Sequence, residues 1–394
     1  YDFDKILIYL NEKGKLLSTP YIDHLPLSET SLAKVLRDAG YATWHVGKWH
    51  LGHEPYDPQH HGFDVNIGGS HWGHPKKGYF SPYNMPGLED GPDGEYLTDR
   101  LTDEAIQLIN SAGDQPFFLY MSHYAVHTPV QIGKNYREKY VRKSRELGLD
   151  KRKTFEEGPP FPCEHKKDKN IRRRLLQSDP GYAGMIQNLD ENTARLLSAL
   201  DAGDKTRDTV VVFYSDNGGL ATAEGSPTCN APLSEGKGWM YEGGTREPLI
   251  IRWPGRIKGG SVCSEPVTST DFFPTFLEIA GLAPMPTQHC DGISLVPLLT
   301  RNSSLEREAL FWHYPHYGNQ GGTPGSSVRS GPYKLIEFFE DGRLELYNLE
   351  KDIEEEKNLA EKEPVVRDWL HGLLKDWRNR CGAKIPQPNP DYAP

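Results

Sequence analysis

Apolar residues in this chain fall into two patterns. Short unbroken runs carry β-branched and aromatic side chains, and 209–214 (Thr-Val-Val-Val-Phe-Tyr) is the purest of them. Such a run predicts a strand buried on both faces, as in a parallel sheet. Residues 41–46, 116–122 and 249–253 have the same character. Longer stretches repeat apolar residues every three or four positions and predict amphipathic helices. Residues 27–40 read as a helix capped by Ser28, with Leu32, Val35, Leu36 and Ala39 on one face and Gly40 as the stop. Residues 95–111, 179–200 and 270–281 read as further helices. Residues 6–10 fit a short strand or a helical turn. Strands alternating with helices predict an α/β fold, a mostly parallel central sheet between helical layers.

After Thr300 the pattern changes. Short strands are expected at 309–312, 327–329, 333–339 and 343–347, with Glu340-Asp341-Gly342 as the turn between the last two. Residues 364–378 form a helix on this reading, with Val365, Trp369, Leu370, Leu373 and Trp377 facing inward. The expected division is a large α/β domain over 1–300 and a small antiparallel sheet with one helix over 301–394.

Composition narrows the function classes. The 394 residues suffice for a large domain plus a small one, and 39 Gly with 31 Pro imply many loops. No apolar run approaches the length of a membrane span. A net charge of −10 argues against general nucleic-acid binding. Charge is uneven, however: residues 134–174 hold 15 basic and 7 acidic residues. Such a segment is either a solvated face or a rim that attracts a polyanion through Arg172, Arg173 and Arg174. Five cysteines without a Cys-x-x-Cys pair indicate neither a zinc site nor a full disulfide framework, and leave room for one or two disulfides.

The candidate chemistry sits where the strands end. Run 209–214 stops at Ser215-Asp216-Asn217-Gly218-Gly219, and ligands of open α/β sheets bind outside such carboxyl ends. Asp216 and Asn217 supply hard oxygen ligands suited to Ca²⁺ or Mg²⁺, although Asp-Asn-Gly is also ordinary turn chemistry. Strand 41–46 leads into Gly47-Lys48-Trp49-His50-Leu51-Gly52. In an extended chain Lys48 and His50 share one side, where they suit an anionic group. A solvent-facing lysine and a hydrogen-bonded histidine are the plainer alternative. Lys237 lies between two glycines, which lets its compact ammonium approach an oxyanion closely. His123 and His127 follow strand 116–122. The histidines between 53 and 94 lack a helical His-x-x-x-His pattern, so zinc is not indicated.

Three of these stretches belong together: residues 47–52, Ser215-Asp216-Asn217-Gly218, and Gly236-Lys237-Gly238-Trp239-Met240-Tyr241-Glu242-Gly243-Gly244-Thr245-Arg246-Glu247-Pro248. With Gly62-Phe63-Asp64 and His123-Tyr124-Ala125-Val126-His127-Thr128-Pro129 they resemble, in order and approximate spacing, the sulfatase family of the alkaline-phosphatase superfamily. The resemblance runs from about residue 27 to about residue 359. It implies an alkaline-phosphatase-like fold and hydrolysis of a sulfated sugar or aryl sulfate. It implies Ca²⁺ half-held by Asp216 and Asn217, and Lys48 and Lys237 on the sulfate oxygens. By the same resemblance His127 is the general acid, and His50 deprotonates the nucleophile and helps release sulfate. His71 and His74, in Ser70-His71-Trp72-Gly73-His74, would face a sugar ring. Glu242 and Arg246 would be structural. Family members are commonly secreted, periplasmic or lysosomal.

The family's nucleophile is a formylglycine made from Cys or Ser in Cys/Ser-x-Pro-x-Arg. This chain has no such motif; Ser18-Thr19-Pro20-Tyr21-Ile22 lacks the arginine. The family's paired N-terminal aspartates are missing too. Because the chain opens mid-element at Tyr1-Asp2-Phe3-Asp4, the expectation is that the formylglycine lies upstream of it. Two alternatives remain at this point: a phosphate or phosphonate monoester hydrolase of the same superfamily, and a non-catalytic binder of sulfated glycans.

Overall fold

The structure is a computed structural model that describes residues 14–301 and 303–392. The 6–10 segment lies outside the described residues. The first helix, α1 (Leu32–Asp38), starts later than expected. Ser31, not Ser28, caps it, its Oγ accepting the Lys34 N–H at 3.0 Å. Pro26 and the turn after it keep the preceding residues out of the helix.

Strand β1 (Ala42–Gly47) is the centre of a three-stranded parallel sheet, between β2 (Val65–Ile67) and β3 (Phe117–Ser122). Trp44 stands opposite both Val65 and Leu119, and Gly47 opposite Ser122. Helix α2 (Leu97–Ser111) makes the crossover to β3. Its Leu97, Leu101 and Ala105 fill the main core with Val46, Tyr79, Tyr124 and Met185.

Helix α3 (Lys134–Glu146) has no buried residue and lies along α4 (Pro180–Ala202), where Lys139 Nζ donates to Gln187 at 2.8 Å. Between them, β4 (Phe155–Pro160) and β5 (Asn170–Arg174) form an antiparallel ribbon. This ribbon gives two of the three arginines of the triplet partners within the fold. Arg173 is ion-paired with Glu235, and Arg174 is buried, donating to the Ser226 carbonyl and to Ser178. Arg172 lies over the Phe155 ring at 3.7 Å. Arg173 and Arg174 therefore fasten the ribbon, their partners offsetting the cost of burying charge, while Arg172 stays exposed.

Strand β6 (Val211–Tyr214) is the clearest departure. It is four residues long, pairs antiparallel with β7 (Leu249–Arg252), and has no parallel partner among the described strands. Phe213 remains 36% and Ile250 63% exposed. Its side chains still face helices: Val211 packs against Ile109, Ala199 and Leu200, and Tyr214 meets Phe272 edge-on at 5.2 Å. An apolar run encodes the need for burial, not the identity of its neighbour strand. Short α5 (Glu242–Thr245) precedes β7, and α6 (Phe272–Ile279) and α7 (Val296–Arg301) follow it.

The C-terminal part is a four-stranded antiparallel sheet in the order β11 (Leu344–Asn348), β10 (Tyr333–Phe338), β9 (Gly325–Ser330), β8 (Leu310–Tyr314). Helix α8 (Pro364–Cys381) covers it with Leu370 and Leu374, aided by Val366, Leu373 and Trp377. Val365, expected inward, is 82% exposed, and Trp369 is exposed too. All five cysteines are free thiols. No helix among the described residues is long and apolar enough to cross a membrane.

Candidate active site

The site forms where β1, β3 and β6 end. Gly47 has φ +108°, and a Cβ there would meet the Ser122 carbonyl oxygen at 2.0 Å. This contact lets the chain turn out of β1 against the end of β3. The Lys48 N–H donates to Ser122 O at 2.7 Å, and Ser122 Oγ donates to Lys48 O at 2.6 Å. Fully buried His45 braces the same turn: Nδ1 meets Asn66 Oδ1 at 3.1 Å and Nε2 meets Lys48 O at 3.2 Å. Burial pulls the His45 pKa down to about 4.

Lys48 and His50 do meet one site, but not by strand alternation. His50 has φ +59°, so the segment is a turn. Its N–H donates to Ser70 O at 2.9 Å, and Gly73 leaves room for the imidazole, since a Cβ there would meet the ring at 2.7 Å. Burial and then the Lys48 and Lys237 charges hold His50 down to about 3. Burial and then Lys237 hold Lys48 down to about 8, while Asp216 and Glu224 act the other way.

His127 is delivered by the loop after β3. Tyr79, fully buried, donates its O–H to the carbonyls of Tyr124 (2.7 Å) and His127 (2.9 Å) and so fixes that loop. His127 Nδ1 lies 3.0 Å from Thr128 O, a partner that can only accept, so Nδ1 carries the hydrogen and Nε2 presents its lone pair. Lys237 Nζ stands 3.3 Å from that Nε2 and donates to it. Burial and the Lys237 charge pull His127 down to about 4. His123, by contrast, is buried with Nδ1 lacking a hydrogen-bond partner, and burial alone holds it at about 4.

Lys237 rides on a loop packed against the one that carries Asp216 and Asn217. A Cβ on Gly218 would meet Gly243 O at 1.7 Å, and Lys237 N–H donates to Gly219 O at 3.2 Å. Glu242 and Arg246 are structural in geometry. Lys334 Nζ, fully buried on β10, reaches Glu242 Oε1 at 2.9 Å and Glu355 Oε1 at 3.2 Å, while Arg246 and Arg329 each lie 3.6 Å from Glu242.

Of the two loop histidines, His74 stacks on His127 with centroids 6.2 Å apart. His71 lies instead on His53, at 3.8 Å. The charges acting on His71 include those of His53 and Lys76, not those of Lys48, Lys237 or His127.

Lys48, His50, His74, His127, Lys237 and Asp216 thus share one cup, and the same motifs match a known family. The sulfatase family model covers residues 8–282, and a second model, N-sulphoglucosamine sulphohydrolase C-terminal, covers 235–379. The chain belongs to the sulfatase family. It is 34% identical to a sulfatase of Formosa agariphila over 345 residues, 78% of this chain and 56% of that protein. It is 31% identical to N-acetylgalactosamine-6-sulfatase of Mus musculus over 307 residues, 73% of this chain and 52% of that protein. The chain spans little more than half the length of these relatives. The crystal structure of Ps i-CgsB in complex with k-i-k-neocarrahexaose superposes with a TM-score of 0.71 at 23% identity, covering 95% of this chain and 81% of that one, which shows a common fold.

Sulfatases as a family generally depend on calcium and formylglycine. Asp216 and Asn217 carry hard oxygen donors of the kind Ca²⁺ takes. Beside them Glu247 has a buried Oε1 without a hydrogen-bond partner. Burial, then the charge of Asp216, lifts the Glu247 pKa to about 8. Two carboxyl groups this close are a pair whose negative charge a divalent cation would neutralise. No group of three or more His, Cys, Asp or Glu among the described residues is arranged to hold a metal, so these residues make only a portion of the six to eight oxygens Ca²⁺ takes. Sequence reasoning missed His45, Glu247 and Glu224. His45 alternates with the apolar residues of β1, and an ionisable residue at such a position was the available signal.

Proposed function

We propose that the intact protein is a sulfuric ester hydrolase that removes sulfate from a sulfated carbohydrate, with aryl sulfates as smaller substrates of the same site. The carrying observation is Lys237 Nζ at 3.3 Å from His127 Nε2, with the Lys48 charge acting on His127 too. Two ammonium groups held together in a molecule of net charge −10 repel each other until an anion enters between them. A sulfuryl head supplies that anion. On this reading Lys48 and Lys237 bind its oxygens. Asp216 and Asn217 would hold Ca²⁺, which supplies Lewis-acid polarisation of a sulfuryl oxygen when bound.

As an attacking oxygen, from water or from a nucleophile outside these residues, bonds to sulfur, the bond from sulfur to the leaving oxygen breaks and its electron pair stays on that oxygen. The proton on Lys237 Nζ, which is hydrogen-bonded to His127 Nε2, neutralises it. His50 is neutral at physiological pH and so holds no imidazolium proton to give the leaving group. His74, stacked on His127, lies beside the leaving-group path, where a sugar ring attached to that oxygen would pass. We assign His71, set on His53, no substrate contact. The division at residue 300 is part of the same proposal, supported by the separate C-terminal sheet.

The name of one relative suggests a sugar to try, N-acetylgalactosamine 6-sulfate. The test compares that ester with 4-methylumbelliferyl sulfate on the intact protein and its H127A variant. An alkoxide needs the proton more than an aryloxide does, so kcat should fall further on the sugar ester, on the order of 10²-fold. Equal losses on both would remove His127 from proton delivery to the leaving oxygen, and faster cleavage of the matching aryl phosphate would replace the sulfatase activity. A second reading, a non-catalytic binder of sulfated glycans, draws support from the lack of Cys/Ser-x-Pro-x-Arg within these residues. Tight glycan binding without turnover would favour it.

A further inference from the structure

Glu224 is an acidic residue at the mouth of a cup built for an anion. It sits at φ +55°, followed by Gly225 and Ser226, also at positive φ, on a loop anchored by buried Ala223 and Ser226. Thr128 Oγ1 donates to Glu224 Oε2 at 3.0 Å, and Gln320 Nε2 donates to Oε1 at 3.3 Å. The same Thr128 Oγ1 is 3.3 Å from His127 Nδ1, so the carboxylate is tied to the residue that flanks the leaving group. Its charge reaches Lys48, His74 and His127. A carboxylate here weakens the attraction of the cup for sulfate, so its place calls for another partner.

Each oxygen accepts one bond from the protein, and a carboxylate has about four acceptor sites, which leaves two for a ligand. An ammonium on the ligand would meet Lys48 and Lys237 behind Glu224. A neutral donor meets no such repulsion. We propose that Glu224, positioned by Thr128 and Gln320, is a specificity-determining residue that accepts hydrogen bonds from a free ring hydroxyl next to the ester and rejects a ring sulfated at that neighbouring position. This rests on the hydrolase reading only in placing the leaving group beside His127. Rejection follows because a second sulfate would bring like charge against a fixed carboxylate and leave its acceptor sites unpaired.

The experiment uses a matched pair of sugars on the intact protein: one ring with a single sulfate and a free neighbouring hydroxyl, and the same ring with that hydroxyl sulfated. Wild type should favour the monosulfated ring in kcat/KM. In E224Q and E224A, both changes at an exposed side chain, that preference should shrink by about tenfold or more. A ratio within about twofold of wild type in both variants overturns the assignment. If wild type cleaves neither sugar, the hydrolase reading falls separately. The same two sugars titrated by calorimetry then decide for or against Glu224 by the same ratio in affinity.

Discussion

The ammonium of Lys237 stands 3.3 Å from Nε2 of His127, across 110 positions of sequence. The contact joins the loop after β3 to the loop before β7, and it sets the Lys237 charge against the His127 imidazole.

The first consequence concerns His127. Burial and the Lys237 charge hold it at about 4 in the ligand-free protein. In K237M the like charge is gone, so the His127 pKa should rise toward its ordinary 6.5. Histidine NMR titration reads this directly. An unchanged pKa would mean that the two groups do not face each other in solution.

Lys48 sets an alkaline limit. Its pKa is lowered to about 8, so the ammonium is complete below that pH and is lost above it. Affinity for inorganic sulfate should therefore fall as pH rises through about 8. Arginine stays charged in that range, so K48R should flatten the fall. Calorimetric titration across the alkaline range checks both statements.

His45 sets an acid limit on stability. Its folded pKa is about 4, below the unfolded 6.5, so the unfolded chain binds more protons between those values. Stability is complete above pH 6.5 and declines as pH falls toward 4, by an upper bound of about 3 kcal/mol from this one group. Urea unfolding at a series of pH values should show that slope, and H45Q should show a shallower one. A slope unchanged in H45Q would show that other groups carry it.

Lys334 neutralises two buried carboxylates, Glu242 and Glu355. K334A leaves them facing each other and should cost about 3–5 kcal/mol. Adding E355Q removes one of the two charges and should recover part of the loss. If K334A unfolds at the wild-type urea concentration, the cluster does not hold the Lys237 loop in place.

Glu247 reports on the cation. At pH 7 its carboxyl, lifted to about 8, is protonated. Calcium binding beside Asp216 should lower that pKa and release a proton, read as a dependence of the binding heat on buffer ionisation enthalpy. E247Q should abolish the release, and D216A should weaken calcium binding itself. Calcium heats independent of buffer would separate Glu247 from the metal.

Much of this was legible in the residues. Most strand and helix positions and the antiparallel C-terminal sheet follow from local pattern. The failures have physical causes. Ser28 and Ser31 are equally good capping residues, and only the path of the preceding turn selects Ser31. Val365 and Val366 differ by one position on a helix, about 100° of rotation, which the sheet underneath decides. Arg173 and Arg174 read as free positive charge until Glu235 and the Ser226 carbonyl are seen beside them.

The sequence alone determined which chemical groups are present: two lysines beside glycines, a histidine before Thr-Pro, an Asp-Asn pair after an apolar run. Local periodicity and side-chain chemistry act over a few residues, so order along the chain suffices to read them. Tertiary structure alone decided that Lys48, His127 and Lys237 share one cup, that His71 turns to His53 while His74 joins His127, and that Glu224 stands at the entrance. Those placements depend on long-range packing: Ser122 against Gly47, Gly243 against Gly218, and a buried lysine from β10 under the loop that carries Lys237.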